Sequence, residues 1–152
     1  MKILILQFIC CLGGAFGFGM IFRIKNDKML VAVLGGGISG FVYLYLLYKT
    51  GNKFLSCFVA AALSAFYAEI MARICKAPVT LFTIPALIPL IPGGSLYYTM
   101  ENLVQKNNKL LREKAIETVM FVLAIVLGIT VVIMVLDLFS LIMKKCGYRR
   151  IK

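Results

Sequence analysis

The sequence has no histidine, and only 6 of its 152 residues are acidic against 17 that are basic. The missing histidine removes the Ser–His and Cys–His pairs that activate a nucleophile. It also removes zinc sites of the usual Cys/His kind. The five cysteines, Cys10, Cys11, Cys57, Cys75 and Cys146, form no C-x-x-C pair. Cys10, Cys11 and Cys57 read as small apolar residues in helices. No metal and no cofactor is expected. Charge is absent from long stretches as well. Residues 3–22 and 29–48 are charge-free runs of 20, and residues 118–136 one of 19. A helix that spans a bilayer needs about 20 such residues.

What is present is apolar. Hydrophobic residues make up 62% of the chain, and its mean hydropathy is +0.97. A soluble domain is nearer half apolar. The expectation is an all-α integral membrane protein with a single transmembrane domain over residues 1–152 and about five hydrophobic segments. The net charge of +11 lies in short clusters between the apolar runs. Such clusters suit lipid headgroups and the positive-inside rule, not nucleic acid.

The fourth segment organises the rest. Residues 77–100 read A-P-V-T-L-F-T-I-P-A-L-I-P-L-I-P-G-G-S-L-Y-Y-T-M. Proline lacks a backbone N–H and clashes with the carbonyl one turn back. Pro85, Pro89 and Pro92 therefore deprive the carbonyls of Leu81, Pro85 and Ile88 of their helical donors. Gly93 and Gly94 follow. In hydrocarbon an unmet backbone group costs several kcal/mol, so such a break survives only within protein or beside water. The spacing predicts a half-helix over residues 79–88, a break at 89–94 and a second half-helix from 96 to about 105, with Ser95 as its cap. The segment either crosses as a broken span or re-enters. A transporter's binding site is expected at such a break. A ligand carboxylate would meet the backbone N–H groups of residues 94–97, at the positive end of the second half-helix. No lysine or arginine lies between Ala77 and Lys106 to do this instead. The hydroxyls of Thr80, Thr83, Ser95, Tyr97 and Tyr98 are available to the rest of the ligand. The tyrosines also suit plain packing, Tyr98 above all. By this reading Gly94→Val blocks the site, and Gly37→Ala in the second helix is milder.

In the first segment Gly13 and Gly17 form a G-x-x-x-G, which lets another helix approach closely. In the second, Gly35, Gly37 and Gly40 spell G-x-G-x-x-G. The dinucleotide reading needs a preceding strand, so helix packing through Gly36 and Gly40 is the better account. Tyr43, Tyr45 and Tyr48 look like an interfacial aromatic belt. In the third, residues 54–74, Ala61, Ala65 and Ala68 form a small-residue stripe. Glu69 and Arg73 stand at i, i+4, the order that favours a pair. They suit either an interfacial ion pair or a charged group facing a cavity. Residues 106–114 read as a loop. Glu69 with Arg73, Glu101 and Asp137 are the candidates for carrying a proton.

Five crossings place seven basic residues on one side and ten on the other. The ten would be cytoplasmic, leaving the N-terminus outside and the C-terminus inside the cell membrane. A re-entrant fourth segment gives nine against eight, which sets no orientation.

The run from Pro78 to Tyr97 resembles the signature of the threonine/serine exporter family. That family repeats P-L-x-P-G-x-x-x-Y after A-R-x-x-x-x-P. Here these are Pro89-Leu90-Ile91-Pro92-Gly93-Gly94-Ser95-Leu96-Tyr97, and Ala72-Arg73 with Pro78. The chain is similar to the short membrane subunit of the members split over two genes. The resemblance implies export of small amino acids coupled to protons, beside a companion membrane subunit that carries the other half. A related split pair is associated with dicarboxylates such as succinate. Assembly with its own copies is the fallback.

Two other classes compete. Pro85-Ala86-Leu87 spells the P-A-L of intramembrane aspartyl proteases, which need two membrane aspartates. Asp27 lies in a loop, Asp137 lies near a helix end, and G-x-G-D is missing, so no enzyme is expected. A non-transporting scaffold would explain the Gly and Ala stripes but not three prolines and two glycines in one apolar segment.

Overall fold

A computed structural model describes the backbone of residues 2–148 and, Asn26 apart, the side chains of residues 6–142. The side chains of Lys2 and of the basic tail from Lys144 lie outside the described residues. Six α-helices follow in order: α1 (Lys2–Ile21), α2 (Asn26–Thr50), α3 (Lys53–Ile74), α4 (Thr80–Leu87), α5 (Gly93–Val104) and α6 (Asn108–Tyr148). A 3₁₀ turn, Ile88–Leu90, continues α4. No strand occurs among the described residues.

Local chemistry sets the helix ends. Gly51 stops α2 in the left-handed region at φ 65°, and its N–H reaches the Leu47 carbonyl. The Asn52 side chain then caps α3 by accepting from the N–H groups of Phe54 and Leu55 at 3.1 and 3.3 Å. Residues 109–114 are helical, not the expected loop. Lys, Leu, Arg, Glu and Ala are all good helix formers, and Lys114 pairs with Glu117 one turn on at 2.9 Å.

Among the described residues three helices are long and apolar enough to cross a membrane: α2, α3 and α6. The bent α4–α5 pair would be a fourth, and α1 adds a shorter apolar stretch, Leu6–Ile21. In the packing order α2 touches α1 and α3, and α3 touches α6. Small residues permit this. Ala61, Ala65 and Ala68, the expected small-residue stripe, are buried along α3, and Ala60 is buried beside them. A side chain at Gly128 of α6 would stand 2.7 Å from the Phe58 carbonyl oxygen. The outer face of α6 is open, with 11% of its apolar window buried against 39% for α3. Lipid or another subunit must cover it.

Candidate functional site

The fourth segment is broken, as its prolines require, but the break is narrower than expected. Pro85 sits inside α4. The 3₁₀ turn then gives the Ile88 carbonyl, which Pro92 cannot serve, a donor in the Ile91 N–H at 3.2 Å. Ile91 is extended and Pro92 has ψ 57°. The chain bends by 54° between α4 with its 3₁₀ turn and α5. Gly93 and Gly94 are thus the first residues of α5 rather than part of the break. Pro92 stands at the cap and makes no side-chain cap bond. Ser95 is therefore not the cap; it lies inside the first turn. The donor set is smaller than residues 94–97, because the Leu96 N–H already reaches the Pro92 carbonyl at 3.0 Å. Tyr97 follows it into the ordinary helical pattern. The Gly93 N–H turns back to Ile91 at 2.8 Å. Gly94 and Ser95 carry the remaining first-turn donors.

The two halves sit in different surroundings. Phe82, Pro85, Ala86 and Leu90 are buried, and α4 with its 3₁₀ turn packs on α1, α2 and α3. No residue of α5 is buried, and its packing partner is α6.

The glycine run of α2 forms the seat of the buried half. A side chain at Gly36 would collide with Ala15 and stand 2.9 Å from the Pro85 carbonyl oxygen. One at Gly40 would stand 2.6 Å from Cys11 Sγ and 3.4 Å from Pro89. Packing through Gly36 and Gly40 is therefore the role of this motif. Sequence reasoning missed Ser39. Its buried hydroxyl donates to the Ala86 carbonyl at 2.5 Å, and it lies 2.9 Å from the Gly36 carbonyl. Ala86 lies where α4 passes into the 3₁₀ turn, and Ser39 supplies its carbonyl with a donor from another helix. The only signal was a hydroxyl inside a glycine run.

The other expected residues scatter around this core. Thr83 donates to its own helix, at the Val79 carbonyl. Thr80 and Pro85 border a small cavity of about 110 Å³ with Phe22, Ile24, Leu81 and Ile84. Tyr97 and Tyr98 are exposed, with their rings edge to face at 5.6 Å. A side chain at Gly93 or Gly94 would meet nothing within 4 Å, whereas one at Gly37 would stand 2.6 Å from Leu12. Gly37→Ala therefore requires the end of the Leu12 side chain to shift. Gly13 and Gly17 also face open space, so among the described residues their motif packs against no other helix.

Glu69 and Arg73 do form an ion pair, at 3.5 Å, with the Glu69 side chain 22% exposed. Glu101 accepts from Gln105 on its own helix at 3.3 Å. Asp137 is exposed. Among the described residues no contact joins these three acids, and no cluster of His, Cys, Asp or Glu could hold a metal ion.

No curated protein and no solved structure matches this chain. The pattern of the family described as Threonine/Serine exporter, ThrE does match, over residues 7–135. That span holds the glycine seat, the bent segment and every expected site residue except Asp137, and the chain belongs to the threonine/serine exporter family.

Proposed function

We propose that this protein is one membrane subunit of a secondary exporter of small carboxylate-bearing metabolites, threonine and serine first and dicarboxylates such as succinate second. The observation that carries the reading is the start of α5. Gly94 and Ser95 offer backbone donors at a bend within an apolar segment, with open space before them. A helix N-terminus there carries about half a positive charge. It can hold a carboxylate without a buried lysine, and release it more readily than an ion pair would. Pro85, Pro89 and Pro92 keep the two halves apart, and Gly93 leaves the approach clear. Ser95, Tyr97 and Tyr98 flank this end, and Thr83 lies on the facing half.

Proton coupling falls to Glu69. It is half-buried and held by Arg73 on the helix against which α4 packs, whereas Asp137 is exposed. A companion membrane subunit closes the assembly. The support is the unburied α5, the open outer face of α6 and the open glycines of α1. Five crossings, with α4–α5 as one bent span, place the N-terminus outside.

The test is flux in liposomes containing the purified chain, alone and with a second exporter-family chain encoded beside its gene. Threonine and serine efflux that needs both chains supports the reading. Robust efflux by the lone chain contradicts the need for a partner. A pair that moves none of threonine, serine and succinate contradicts transport and leaves the scaffold role.

A further inference from the structure

A second cleft lies away from the bend. It measures about 570 Å³ and opens between the α2–α3 turn and the first polar turns of α6. That volume falls within the ~300–1,000 Å³ usual for small-molecule sites. Thr50, Asn52, Lys53 and Glu117 line it on the polar side, and Met120 and Phe121 on the apolar side. The Glu117 carboxylate is shared between two ammonium groups: Oε1 meets Lys53, and Oε2 meets Lys114 at 2.9 Å. The Glu117 side chain is 20% exposed and that of Lys53 57%.

We propose that this cleft binds free α-amino acids as zwitterions; the inference rests on the exporter reading and narrows its substrate class. Lys114 also has Glu113 nearby, so Lys53, on the cleft wall and 57% exposed, is the ammonium group a ligand reaches. A ligand carboxylate can take up Lys53, while the α-ammonium of the same ligand replaces that lysine on Glu117. Thr50 and Asn52 lie beside the pair for a hydroxyl, and Met120 and Phe121 offer a wall for a methyl group. A dicarboxylate gains from the lysines but sets its second charge against Glu117. The cleft therefore favours threonine and serine over succinate. It also adjoins the transport segment. Thr118, next to Glu117, lies 3.5 Å from Thr99 of α5, and Thr99 donates to the Ser95 carbonyl at 2.7 Å. The cleft thus lies beside α5, and five crossings put it on the outer, release side of the bend.

The experiment is equilibrium binding of labelled threonine and succinate to the chain in phosphatidylglycerol nanodiscs, which contain no zwitterionic headgroup. The parent protein should prefer threonine. Glu117→Gln should weaken threonine about tenfold, the loss of one hydrogen bond to a charged group, while succinate binding holds or rises. Lys53→Ala should weaken both ligands. A variant that merely misfolds loses both together, so the reversed preference in Glu117→Gln is the decisive reading. Unchanged preference in that variant, loss of both ligands in it, or no threonine binding by the parent overturns the proposal. The reading of the bend is judged separately, by export through Gly94→Val, which does not touch this cleft.

Discussion

Ser39 Oγ donates to the carbonyl oxygen of Ala86, 47 positions along the chain, at 2.5 Å. This contact gives a donor to a buried carbonyl at the junction of α4 and the 3₁₀ turn. It ties the glycine run of α2 to the proline-broken segment.

Ser39→Ala should leave that carbonyl buried and unpaired, at a cost of about 1–3 kcal/mol. Thermal unfolding in detergent should show a lower midpoint. An unchanged midpoint would mean that water or a rearranged backbone replaces the hydroxyl.

Gly36→Ala should destabilise the chain by about 1–3 kcal/mol, because its methyl group overlaps Ala15 and crowds the Pro85 carbonyl. Gly13→Ala meets open space and should leave the isolated chain as stable or firmer, since alanine favours helix over glycine by about 1 kcal/mol. If Gly13 faces the companion subunit, the same change should weaken co-purification of the two chains. Stable assembly of the Gly13→Ala pair would place the partner elsewhere.

Glu69→Gln removes the half-buried acid on α3, the helix against which α4 packs. Export driven by a pH gradient should be lost, while exchange of labelled for unlabelled threonine at equal pH should persist. Gradient-driven export at the parent rate would exclude Glu69 as the proton carrier, and Asp137→Asn serves as the exposed comparison.

Much of this architecture was legible because it depends on backbone rules. Three prolines within eight residues cannot continue a helix, and the chain does bend there. Ala61, Ala65 and Ala68 lie one turn apart and are buried together. Glu69 and Arg73 pair at the predicted spacing. The details that escaped depend on contacts far apart in sequence. Gly93 and Gly94 look like break residues, yet a helix can begin at glycine once Pro92 has set the turn. Ser39 cannot be seen to face Ala86 until α2 and α4 are packed. Lys114 meets Glu117 one turn along α6, but only the packing of α3 on α6 brings Lys53 onto the same carboxylate.

The central claim is that a carboxylate binds at the start of α5. The most direct measurement is threonine efflux from liposomes holding the Gly94→Val chain with its companion subunit, at matched amounts of inserted protein. Nothing in the fold opposes a valine there, since a side chain at Gly94 meets nothing within 4 Å. The comparison is made on complexes that co-purify in equal amount, so that lost assembly is not counted as lost binding. The account predicts that efflux falls at least about tenfold, as expected when a charged ligand loses a hydrogen bond. Efflux equal to that of the parent protein would contradict it and leave the bend with a purely structural role.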